Sequence, residues 1–114
     1  MLLSEDSSDA QYQIKAYAPG KIIINSETYR DNLIISQNRL IKNWNPNDLL
    51  AIAALKPEII LLGLGAQSRI LKPEILKPLS ELGFSVECMS TQAAIHTYTI
   101  LVSENRNVAA GLII

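Results

Sequence analysis

Glu58-Ile59-Ile60-Leu61-Leu62-Gly63-Leu64-Gly65 decides the fold. Its apolar side chains run on without alternating with polar ones, so neither face of the strand they form can look at water. Strands of that kind belong to parallel or mixed sheets covered by helices on both sides. The flanks agree. Upstream, Lys56-Pro57 ends a helix, because a residue before proline is pushed out of the helical region. Downstream, Gly63-Leu64-Gly65 reads as a loop leaving the strand.

Working outward toward the C-terminus, Glu74 to Leu82 places Ile75, Leu79 and Leu82 at helical spacing, and Gly83 supplies a stop. Pro78 lacks the N–H that a helix interior uses, which predicts a kink or a late start. Phe84 to Met89 reads as a strand. Ser90 or Thr91 then caps a helix running to about Ser103, with Ala94, Tyr98, Leu101 and Val102 on one side. Val108 to Ile114 is a last apolar strand.

Toward the N-terminus, Asn45 offers an N-cap, Pro46 a first helical position and Asp48 an acid near the positive dipole end, which predicts a helix from Asn45 to Lys56. Tyr12 to Ala16 alternates with period two. Pro19-Gly20 signals a turn. Lys21 to Asn25, Leu33 to Ser36 and Arg39 to Lys42 read as further strands, the last two paired through Gln37-Asn38. Ser26 to Asn32 is polar and shows no period. Residues 1–10 read as a flexible acidic tail. The expected fold is therefore α/β: one compact three-layer domain over residues 11–114, with a mixed central β-sheet, flanking helices and an N-terminal antiparallel β-meander.

Composition limits the function. The 114 residues are 48% hydrophobic, with 10 Lys plus Arg against 11 Asp plus Glu, a formal net charge of -1. That balance lacks the basic footprint of a nucleic-acid binder. No run approaches the ~20 apolar residues of a membrane helix, and no basic leader precedes one. The expectation is a cytoplasmic chain without membrane insertion. One Cys and one His make neither a disulfide nor a Cys/His zinc site, so no metal and no cofactor is expected.

Two constellations carry chemistry on paper. The Gly63/Gly65 pair after a buried strand, with Glu87 near the end of the next, has the outline of a dinucleotide site. The fingerprint fails at Ser68, and Arg69 to Pro73 separate the loop from any helix N-terminus. Cys88 and His96, eight residues apart, could form a thiol and base, although a lone Cys in an apolar strand is more simply a core residue. Neither makes a catalytic site. The remaining functional reading gathers Gly63, Gly65, Glu87, Thr91, Tyr98, Glu104 and Arg106 as a small polar ligand or interaction pocket. The bland reading of the same residues is a capped helix with a surface ion pair.

The stretch Val86-Glu87-Cys88-Met89-Ser90-Thr91-Gln92-Ala93-Ala94-Ile95-His96-Thr97-Tyr98, the run Glu104-Asn105-Arg106-Asn107-Val108-Ala109-Ala110 and the segment Pro57 to Gly65 together resemble the signature of a known family. It is a small conserved α/β domain of bacteria and archaea. Its relatives include mitochondrial respiratory complex I assembly factor 3 and an adipogenesis-associated cytosolic protein. Tyr29 and Trp44 fall where the family often has aromatics, and the resemblance extends from about Tyr12 to Ile114. It implies a three-layer α/β fold with a mixed sheet, no assigned reaction, and a role as an assembly or regulatory factor that binds another protein. Leu64 departs from the Thr common between the two glycines. His96 and Thr99 stand where relatives often carry Arg and Asn. The alternative is a binding protein or enzyme for a polar metabolite, using Gly63 to Gln67 with Glu87, Thr91 and Arg106. A homodimer is a further expectation, because a meander leaves sheet edges to cover.

Overall fold

A computed structural model describes residues 10–66 and 73–114. The expected tail lies almost wholly outside these residues, as do Gln67, Ser68 and Arg69. In chain order the elements are β1 (Ile14–Ala18), β2 (Lys21–Ile24), β3 (Glu27–Tyr29), β4 (Leu33–Ser36), β5 (Leu40–Lys42), α1 (Leu50–Ala53), β6 (Ile59–Leu64), α2 (Pro73–Glu81), β7 (Ser85–Met89), α3 (Thr91–Ser103) and β8 (Val108–Ile113).

The central sheet has the order β5-β4-β8-β6-β7. β6 runs parallel to both β7 and β8, while β4 is antiparallel to β8 and β5. β6 has a strand on each side and a helical layer over each face. That is why its sequence is continuously apolar: Ile60, Leu61 and Leu62 are all at most 1% exposed. Alternation along the strands sorts the core into two. Leu61, Val108, Ala110, Leu112, Leu33 and Ile35 face α3 and the N-terminal strands. Ile60, Leu62, Leu64, Ala109 and Ile34 face Trp44, α1 and α2.

The meander divides between two sheets. β1-β2-β3 forms a separate antiparallel sheet, which packs with α3 on one face, while β4 and β5 join the central sheet. β3 lies in the polar stretch that showed no period. It is an exposed edge strand, and its hairpin rests on Asn25 at φ 55°, a left-handed position that Asn tolerates.

The helix expected from Asn45 begins only at Leu50. Residues 45–48 instead form a turn. The Asp48 N–H donates to the Asn45 carbonyl (2.8 Å), the Asn47 N–H to Asn45 Oδ1 (3.0 Å), and the Trp44 indole N–H to the Asp48 carbonyl (2.9 Å). Burial of Trp44 thus takes the backbone that a first helical turn would use. α2 runs through Pro78 without ending there. The proline is exposed, so the Glu74 carbonyl deprived of its helical donor can face water. Gly83 (φ 85°) closes α2, with Phe84 N–H donating to the Leu79 carbonyl and Gly83 N–H to that of Ser80.

Candidate functional site

Gly63 and Leu64 belong to β6 rather than to the loop after it. Gly63 is required by packing. A Cβ there would lie 2.9 Å from both Thr91 Cα and Leu112 Cδ2, so the missing side chain lets the start of α3 press onto the strand. The turn itself falls on Gly65, at φ 96°, where an added Cβ would meet no atom of the described residues.

β6 leads to α2 on one face and β7 leads to α3 on the other, so adjacent strand ends diverge at Gly65 and Ser90. In open α/β sheets that divergence is where ligands bind. Here the chain's own groups fill it. The Thr91 N–H donates to the Gly65 carbonyl (2.8 Å), and the Gly65 N–H donates to Thr91 Oγ1 (2.9 Å). Thr91 Oγ1 in turn donates to the Ile113 carbonyl, and Tyr17 is hydrogen-bonded to the same hydroxyl. Thr91 is fully buried. It joins β1, β6, β8 and the start of α3. Ser90, one residue earlier, is the N-cap, accepting from the Ala93 N–H at 3.2 Å.

Tyr98 lies two turns along α3, 2% exposed, inside the core that faces the N-terminal sheet. Among the described residues its buried hydroxyl has no hydrogen-bond partner. Burial pushes its phenol well above the ordinary value.

The other expected site residues lie elsewhere. Glu87 is exposed on the edge strand β7, in register with Leu61. Glu104 caps the C-terminal end of α3 and is exposed. Arg106 follows, its guanidinium 3.8 Å from Glu58, at the end of β6 opposite Gly65. Six strand residues intervene, roughly 20 Å. The structure therefore brings Gly63, Gly65 and Thr91 together with Tyr98 beneath them, and does not bring Glu104 or Arg106 to that end.

Cys88 and His96 are separated as well. Cys88 packs with the α1–α2 core, and burial pushes its thiol up, away from nucleophilic use. His96 is exposed on α3, over the other face of the sheet. Among the described residues, no cluster of three or more His, Cys, Asp or Glu side chains is arranged to hold a metal ion. No helix among them is long and apolar enough to cross a membrane.

Among the described residues, two polar clefts open where the sheet ends. One, about 440 Å³, lies between the β4–β5 turn and the segment linking α1 to β6. The other, about 400 Å³, lies where β3 leaves the N-terminal sheet and includes Arg30, Asp31 and Lys42. The signal for the first was present but weak: Gln37-Asn38-Arg39 reads as a turn, and only the fold sets it beside Asn107.

Comparison with known proteins completes the picture. The chain is 34% identical over 122 residues to the 13 kDa major membrane protein of Francisella tularensis subsp. holarctica, covering 99% of both chains. It is 31% identical to the NADH dehydrogenase [ubiquinone] 1 alpha subcomplex assembly factor 3 of Xenopus tropicalis, over 97% of this chain and 65% of that relative. A crystal structure of a Bordetella parapertussis protein superposes with a TM-score of 0.82 at 34% identity, covering 91% of this chain and 96% of the other. A solution structure of a Bordetella pertussis protein, described as a Mth938-like domain, gives 0.79 at 27% identity over 99% and 92%. Residues 14–113 match the family model described as protein of unknown function (DUF498/DUF598), and with this fold and these relatives the chain belongs to that family.

Proposed function

We propose that this chain is a non-catalytic, protein-binding factor with an assembly-related role in the cytoplasm. One observation carries the reading. Two relatives named as assembly factors of the NADH dehydrogenase alpha subcomplex, from Xenopus tropicalis and Danio rerio, each align over 97% of the chain. The alignment spans the domain rather than one motif, so what those relatives do through this domain is the first role to test here.

The α1–α2 layer is the proposed contact surface. Leu50, Ile75 and Leu82 are 54%, 45% and 61% exposed there, and large apolar side chains left in water favour a partner. A homodimer through a sheet edge is the other association to examine, by sedimentation. Nucleic acid has no part in the reading, given the net charge of -1.

The test is affinity isolation of the tagged chain, made at native level in its own host, with subunits of NADH dehydrogenase sought first. The reading expects a protein held in stoichiometric amounts above an untagged control. Recovery of nothing above background in several growth conditions removes its main support.

A further inference from the structure

We infer that the cleft beside the β4–β5 turn is a binding site for the oxyanion group, carboxylate or phosphate, of a small molecule. At about 440 Å³ it falls within the range of small-molecule sites. Leu55, Pro57 and Ala109 give it an apolar floor, and Gln37, Asn38 and Arg39 form one wall.

The wall is held in place before any ligand arrives. The Gln37 carbonyl accepts from the Gln11 N–H (2.8 Å), while Gln37 Nε2 donates to the Arg106 carbonyl (3.0 Å). The turn is closed by the Ser36 N–H donating to the Arg39 carbonyl (2.9 Å). Across the cleft, Asn107 Nδ2 donates to the Lys56 carbonyl (3.1 Å). A site fixed in this way loses little entropy on binding.

The charge is positive and partly unused. Arg106 is paired with Glu58. Among the described residues the guanidinium of Arg39 has no ion pair and the amide of Asn38 no hydrogen-bond partner. Arg39 is the one charged residue among the described residues that line the cleft. A guanidinium presents a planar fork of N–H donors that matches an oxyanion, and an amide N–H₂ beside it adds a neutral donor. The cleft at Arg30 and Lys42 differs in that a carboxylate, Asp31, lines it beside the cations.

The test is a titration of the ¹⁵N-labelled chain with inorganic phosphate and, separately, with succinate, at constant ionic strength set with chloride. The expected result is saturable shifts confined to the amides of residues 36–39, 55 and 107, with a dissociation constant on the order of 1 mM for at least one probe. Arg39→Gln should weaken that binding about threefold to tenfold, and Arg30→Gln should leave it unchanged. Saturation by phosphate alone assigns a phosphoryl ligand, and by succinate alone a carboxylate. Shifts that stay linear, spread over all basic segments, or persist unaltered in Arg39→Gln overturn the site.

Discussion

Gly63 and Gly65 are two residues apart and do different things. At Gly63 an added Cβ meets backbone at Thr91 Cα, 2.9 Å away, as well as the side chain of Leu112. Backbone cannot rotate aside, so Gly63→Ala should destabilise the fold by about 2–3 kcal/mol in chemical denaturation. Gly65→Ala meets no atom of the described residues and should cost only its left-handed strain, about 1 kcal/mol. Equal losses at the two positions would contradict this division. Tyr98 is the other informative residue. Its buried hydroxyl has no partner among the described residues, so Tyr98→Phe removes a desolvated polar group and should leave stability unchanged or raise it by up to about 1 kcal/mol. The sign with pH follows. Burial holds the folded-state pKa above that of an ordinary tyrosine, so the native state resists deprotonation. Its contribution is complete below pH 10 and is lost as pH rises above it. Tyr98→Phe should therefore flatten the alkaline fall in stability, measured as Tm between neutral pH and the alkaline range.

The elements meet at Thr91. One buried hydroxyl accepts from Gly65 and donates to Ile113, so it ties the ends of β6 and β8 to the start of α3. Thr91→Val keeps the shape and leaves both backbone groups unsatisfied, which should cost about 2–3 kcal/mol. Hydrogen exchange should locate the loss, with the Gly65 amide among the most accelerated. At its other end α3 closes on Asn105 at φ 61°, the Arg106 N–H donating to the Leu101 carbonyl and the Asn105 N–H to that of Val102. Asn105→Ala should cost about 1 kcal/mol and Asn105→Gly should not, by thermal unfolding. This element scale is also where the sequence was most and least informative. β6, α3 and β8 were legible because burial on both sheet faces and helical periodicity leave strong patterns. The start of α1 was not, because Trp44 draws the backbone of Asn45 to Asp48 into a turn that cap residues equally permit. β3 was hidden because an exposed edge strand needs no apolar alternation. Of the candidate site, Thr91 was marked as a hydroxyl at the start of α3, next to the helix cap. That Arg106 lies a strand's length from Gly65 depends on chain direction in the sheet, which local spacing does not encode.

For the whole molecule, the inventory is a filled switch point, a thiol and an imidazole on opposite faces of the sheet, and a family whose named relatives include assembly factors. These fit a chain that works by holding another protein. The surface proposed for that contact, around Leu50, Ile75 and Leu82, is exposed, so substitutions there should spare stability while weakening association. The most direct measurement is quantitative affinity isolation of the tagged chain beside its Ile75→Ser/Leu82→Ser variant, both made at native level. The account predicts at least one stoichiometric protein partner with the unaltered chain and a several-fold loss with the variant, whose Tm stays unchanged. No partner above an untagged control in any growth condition would contradict it.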